Sequence, residues 1–206
     1  MRRYFVLFAL LLSCSTFRRG EKINIVIPEE SFKAGIELFE RGKYNEAIKK
    51  FKEVLYVTGY GDLANKSQYY ISLSYFKLKD YDQAILEFRT LLENYTGLGD
   101  TLKASALLYL ARAYNEKHKN LYLDISEIDM GLYYAQRLKG MGIFSDSADK
   151  VISEILYKKA TKLLLEADVY RKLKVDRSWR LYLEEFLRLY PDDPRVDSVK
   201  ALLNSQ

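Results

Sequence analysis

The sequence predicts an all-α chain, a solenoid of stacked helix pairs. Two observations carry this. Only three prolines and ten glycines punctuate 206 residues, so long stretches lack the breakers that many short strands need. In addition, two windows repeat at a spacing of about 37 residues, the length of a helix-pair unit. Residues 42–55 read GKYNEAIKKFKEVL and residues 79–92 read KDYDQAILEFRTLL. Hydrophobic residues make up 49% and charged residues 30% of the chain, which supplies enough apolar surface for a folded core.

The first element is a targeting segment, assigned to residues 1–13. Met1-Arg2-Arg3 is a positive start, and Tyr4 to Leu12 is an unbroken apolar run. A spanning helix needs about 20 apolar residues, so this run reads as the core of a secretory signal. It ends Leu11-Leu12-Ser13-Cys14, which resembles the bacterial lipobox. The resemblance implies a thioether-linked diacylglycerol on Cys14, cleavage before it and acylation of the new amino terminus. Each buried methylene contributes about 0.8 kcal/mol, so several acyl chains hold a soluble domain on a bilayer. Ser15 follows the cysteine rather than Asp, which by the same resemblance implies sorting to the outer membrane, facing the periplasm. Residues 14–27 form the lipidated cysteine and a tether, with Ile23, Ile25, Val26 and Ile27 expected to dock against the first helix.

The repeat domain is assigned to residues 28–206. In the two matching windows Tyr44/Tyr81, Ala47/Ala84, Ile48/Ile85, Phe51/Phe88 and Leu55/Leu92 are identical. The spacing i, i+1, i+4, i+7, i+8 places them on one helical face. Small Ala permits close approach of a neighbour. Asp80 with Gln83 is a capping-box pattern, whereas Lys43 stands at the equivalent place in the first unit. Pro28 opens the preceding helix over 29–41, and its counterpart covers 66–78. Residues 103–116 and 124–139 form a third pair, joined by a longer loop through Lys117 to Leu123. Residues 146–172 and 177–190 form a fourth, with Tyr182 and Phe186 at the Ala and Phe positions. Asp193-Pro194 reads as an N-cap before a capping helix over 195–204, with Val196, Val199, Leu202 and Leu203 inward. No heptad persists across the breakers, so a coiled coil is excluded.

A small residue (Gly35, Ser72), an aromatic or Leu three later, then Ala and Phe, resembles the tetratricopeptide repeat. That implies antiparallel helix pairs stacked in a right-handed superhelix with a concave groove: about four repeats plus a C-terminal capping helix. The lipobox, short tether and repeats together resemble the outer-membrane assembly lipoprotein family BamD. The likeness runs through PEESFKAGIELFERGKYNEAIKKFKEVL, SQYYISLSYFKLKDYDQAILEFRTLL and YYAQRLKGMGIFSDSA. It departs at Leu138 to Gly142, and at Lys172 to Val175, where a tight Gly-containing turn is expected. The family helps insert β-barrel proteins into the outer membrane. The resemblance therefore implies two partners besides the membrane: a barrel-assembly protein with periplasmic domains, and unfolded segments of outer-membrane proteins. Repeat geometry nominates Phe32, Ile36, Phe39, Tyr69, Leu73 and Phe76 as a peptide-binding groove, about half of which are expected to pack against neighbouring helices instead. The alternative is another helical-repeat lipoprotein of the envelope, such as a secretin pilotin.

Catalytic chemistry has little support. There is one Cys and one His, so an internal disulfide and a Cys/His zinc site are excluded. No phosphate loop, nucleophile elbow or HExxH helix occurs. The chain reads as a non-enzyme without metal or cofactor, apart from the covalent lipid. Its formal charge of +5 includes Arg2 and Arg3, and no dense basic run supports nucleic-acid binding. Asp192-Asp193 and Glu184-Glu185 read as solvated faces, His118 as an exposed loop residue, and Trp179 as packing in preference to an interface anchor.

Overall fold

The computed structural model describes residues 26–205. The signal segment, Cys14 and most of the tether lie outside the described residues. Of the tether's apolar cluster, Val26 is half-buried and Ile27 is exposed. Among the described residues there are nine α-helices and no strand: α1 (Pro28–Glu40), α2 (Tyr44–Thr58), α3 (Asp62–Lys77), α4 (Tyr81–Asn94), α5 (Asp100–Lys117), α6 (Ile128–Gly140), α7 (Ser145–Lys172), α8 (Asp176–Leu189) and α9 (Val196–Asn204). Each helix packs on the next, and odd-numbered helices also touch along α1, α3, α5 and α7. This is a helical-repeat solenoid of four pairs and a terminal helix. No described helix is long and apolar enough to cross a membrane.

The periodic face of each repeat is the core face. Ala47, Ile48, Phe51 and Val54 are buried on α2, and Ala84, Ile85, Phe88 and Leu91 on α4. The small positions are the closest crossings. A Cβ on Gly35 would lie 2.6 Å from the Phe51 ring, and one on Gly131 would lie 2.9 Å from Cβ of Tyr114. Ser72 is fully buried, and its hydroxyl donates to the carbonyl of Gln68. Ser31 donates to Glu53 at 3.0 Å, tying α1 to α2. The Asp80 carboxylate accepts from the Gln83 amide at 3.2 Å, the expected capping contact. Lys43, as expected, makes no such bond at the start of α2.

Three of the helix-to-helix turns are the same turn. The amides of Lys43, Asp80 and Val175 each donate back to a carbonyl five residues earlier, on Leu38, Tyr75 and Tyr170. The residue before each donor is left-handed: Gly42, Lys79 and Lys174, with φ of 74°, 63° and 57°. The divergence at Lys172 to Val175 therefore does not remove the tight turn. It places a lysine where glycine is relaxed.

The C-terminal end corrects three expectations. Asp193 does not cap α9; its carboxylate accepts from the backbone and guanidinium of Arg195, at 2.9 Å and 2.7 Å. Its side chain is only 6% exposed, so Asp193 is not a solvated acid, unlike Asp192. On α9, Val199 is buried and Val196 and Leu203 pack on the same cluster, but Leu202 is 49% exposed. The helix meets the rest of the fold on one narrow side, because among the helices it packs only on α8. Trp179 is packing, buried with Leu183 and Phe186. His118 is not an exposed loop residue. Its side chain is 11% exposed beside Glu127, because Lys117 bridges Asp82 and Glu127 at 2.7 Å each and folds the loop back.

Two stability changes follow. Ala47→Leu or Ala84→Leu should each lower the unfolding free energy in denaturant by about 1–3 kcal/mol, because neither site has room. Lys174→Gly should raise it by about 0.5–1 kcal/mol by relieving the left-handed backbone, whereas Lys174→Val should lower it.

Candidate functional site

The structure divides the six nominated residues between two core clusters, which share Phe39, and rings from neighbouring helices close over most of them. Phe32 sits 5.6 Å from Phe51 and 6.0 Å from Tyr70, centroid to centroid. Phe39 meets Tyr44 at 5.2 Å and Tyr70 at 5.3 Å. Ile36 belongs to the same cluster. Tyr70 stacks on Phe51 at 5.3 Å and so fills the space between α1 and α3. Tyr69 lies edge-on to Phe88 at 6.1 Å, and burial pushes its phenol well above the usual range. Leu73 is 7% exposed and belongs to the main core. Phe76 packs on Tyr81 and Tyr109 and borders an open cleft.

That cleft is the smaller lobe of a longer groove. It measures about 420 Å³ and is walled by Phe76 and Lys77 of α3, Lys79, Tyr81, Arg112 of α5, and Lys150 and Val151 of α7. The larger lobe measures about 920 Å³. It lies on Leu156, Tyr157 and Lys158 of α7 and is closed by the Leu189–Pro194 loop between α8 and α9. Asn115, Glu116 and Glu154 line both lobes and join them. On α7 the lining positions Lys150, Glu154, Tyr157 and Lys158 recur at helical spacing, so one face of this long helix floors the whole groove.

Its electrostatics follow from burial. Asn115 is 3% exposed. Its side-chain amide donates to Glu154 at 2.9 Å, while its Oδ1 has no partner. The Lys158 ammonium donates to the Asn115 carbonyl, and burial lowers its pKa. At the far wall the Arg195 guanidinium lies 4.3 Å over the Tyr157 ring and donates to Thr161 at 2.8 Å, pinning the α8–α9 loop to α7. Burial also raises the pKa of the Tyr190 phenol. These groups can hold an extended chain through backbone and side-chain contacts. Among the described residues there is no cluster of three metal-ligating side chains.

Sequence reasoning reaches Phe76 but not Asn115, Lys158 or Tyr157. Polar Asn115 within the apolar run of α5 is a signal. The α7 face is not, because a 28-residue helix with mixed residues reads as solvated until its neighbours are known.

Residues 66–97, most of α3 with α4 and its exit, match the tetratricopeptide repeat family. No match is found among curated proteins. Among solved structures the chain is similar to a thermophilic TPR protein of Thermus thermophilus. Identity is 15%, the TM-score is 0.45, and the match covers 86% of this chain and 100% of that one. A repeat of this type suggests protein–protein interaction.

Asn115→Asp should be destabilising at neutral pH by about 1–3 kcal/mol, since it removes a donor and sets a carboxylate against Glu154. The introduced acid would have a raised pKa, so its protonated form is the favoured one. Thermal melts should therefore show the deficit shrinking as pH falls towards 5, with no such recovery for wild type.

Proposed function

We propose that this chain is a lipid-anchored adaptor of the bacterial envelope. It is held on the periplasmic side of the outer membrane through Cys14 and assists β-barrel assembly by binding protein partners. One observation carries the reading: a signal-like segment ending Leu11-Leu12-Ser13-Cys14 leads, after a short tether, into stacked helix pairs. A solenoid with an open groove suits capture of extended segments. Unfolded barrel strands alternate apolar and polar side chains and expose one apolar face. The likeness of the repeats to the barrel-assembly lipoproteins nominates such strands, and a barrel protein with periplasmic domains, as the partners. The half-buried Phe32, Ile36, Phe39 and Tyr69 remain part of the proposed surface at their exposed edges, with Phe76 leading into the deeper groove.

Intact-mass analysis of the protein from native membranes should show loss of residues 1–13 and added acyl chains on Cys14. Cys14→Ala should move the protein out of the membrane fraction. Retention of Leu12 in the mature chain, or an unmodified Cys14, overturns the anchor. Affinity capture from the same membranes separates the partner classes. A barrel protein with tandem periplasmic domains as the dominant partner supports barrel assembly; a secretin in its place overturns it.

A further inference from the structure

We propose that the corner of the solenoid where the tether enters is a membrane-contact surface. Ile27, Tyr56, Val57 and Tyr60 sit in the headgroup layer of the bilayer and orient the domain on it. The inference rests on the anchor reading for its setting, while the contact itself belongs to the described surface.

Exposure is the first ground. Tyr56, near the end of α2, is 91% exposed, and Tyr60, in the loop to α3, is 79% exposed. Val57 and Ile27 stand 48% and 46% exposed. Apolar residues scattered singly over a surface are ordinary, but these four share one corner. The Ser31 hydroxyl reaches Glu53 at 3.0 Å, which fixes the register of α1 against α2. Ile27 lies one turn before Ser31 and Val57 one turn beyond Glu53, so the two stand level. Tyr60 follows through Gly59, whose φ of 65° turns the chain.

The repeat supplies the second ground. The offset that lays Leu55 on Leu92 carries Tyr56, Val57 and Tyr60 onto Glu93, Asn94 and Gly97. All three of those residues are exposed as well, so folding of the unit does not demand the apolar set. The unit that carries it is the one joined to the tether.

Position and charge are the third. Twelve residues separate Cys14 from Ile27, so an anchor at Cys14 holds this corner at high effective concentration beside the lipid. The opposite edge also shows apolar side chains, with Leu78 and Leu173 at 38% and 64%, but it lies beyond the length of α1, roughly 20 Å, from Ile27. Lys49 and Lys52 are exposed two turns and one turn before Tyr56 on the same face of α2, where their stems can lie on the apolar layer and their ammonium groups reach lipid phosphates. Glu29 and Glu30, exposed at the start of α1, offset that charge. Burial of rings therefore drives the contact more than charge attraction does. Tyrosine, with an apolar ring and a polar tip, suits the boundary between lipid and water.

The test couples the mature chain, through its single cysteine, to a maleimide lipid in vesicles of phosphatidylethanolamine and phosphatidylglycerol. This link stands in for acylation in the cell, so intact mass still decides the anchor separately. Tyr56→Trp and Tyr60→Trp each report the corner above the constant emission of buried Trp179. Leu181→Trp, at a side chain 61% exposed on α8, reports the far end. Lipids brominated close to the headgroup should remove roughly half or more of the emission added at either tyrosine, because interfacial side chains sit about 5–10 Å into the lipid boundary. Salt raised to about 0.5 M should leave that quenching intact, and Leu181→Trp should be unaffected. Equal quenching of Leu181→Trp overturns the inference, since the domain then has no fixed orientation. Quenching abolished by salt overturns it, since charge then holds the contact. Absence of quenching at both tyrosines overturns it too, and leaves the corner to a protein partner.

Discussion

Gly35 lies so close to the Phe51 ring that even a methyl group would overlap it, and this fit of a small residue against a large one sets the distance between helices throughout the array. The same device recurs at Gly131 against Tyr114, and in the fully buried Ala47, Ala84, Ala111 and Ala135. Emptying one of the large partners, Phe51 or Phe88, would leave a cavity worth about 3–5 kcal/mol. The last pair keeps small residues on its first helix and large ones on its second. Here α7 contributes Ala160 and Ala167, while α8 supplies Trp179, Leu183 and Phe186. Tyr182, at the position where earlier repeats have Ala, turns towards Tyr170 at 5.2 Å instead of entering the crossing.

Close spacing has a consequence for the groove. Helices α1, α3, α5 and α7 touch in series, so their exposed ends form a continuous wall. In the first two units that wall is sealed by Tyr70, Phe32 and Phe39. It opens beside α7, along Lys150 to Lys158. That helix has 28 residues and extends roughly 42 Å. Its first half shares a core with α5 and α6 through Val151 and Ile155, and its second half shares a separate core with α8. Beyond α7, helices α8 and α9 pack only on each other. The larger lobe lies at this joint, so whatever fills it touches both cores at once.

The repeats are legible in the sequence because they are local. Ala47, Ile48, Phe51 and Val54, with their counterparts from Ala84 to Leu91, can all be read from a helical period, and helix limits agree within a few residues. The capping bond of Asp80 is legible for the same reason. The groove is not. Its wall gathers Phe76, Asn115, Lys158 and Pro191, far apart in sequence, and nothing local signals their meeting. Tyr70 escapes because it adjoins Tyr69, and a single period cannot tell which of two neighbouring tyrosines turns inward. Lys174 misleads because a left-handed lysine leaves no compositional mark, whereas glycine does. His118 sits in a polar stretch, yet the paired contacts of Lys117 draw it under cover.

Separate cores also give the molecule two optical signatures. Trp179 is the only tryptophan, is 4% exposed, and belongs wholly to the C-terminal core. Most of the eighteen tyrosines lie in the preceding units. Tryptophan emission therefore reports the hairpin of α8 against α7, while tyrosine emission is dominated by the first three pairs. A solenoid whose units loosen one after another on heating would change colour in the same order, without any label added.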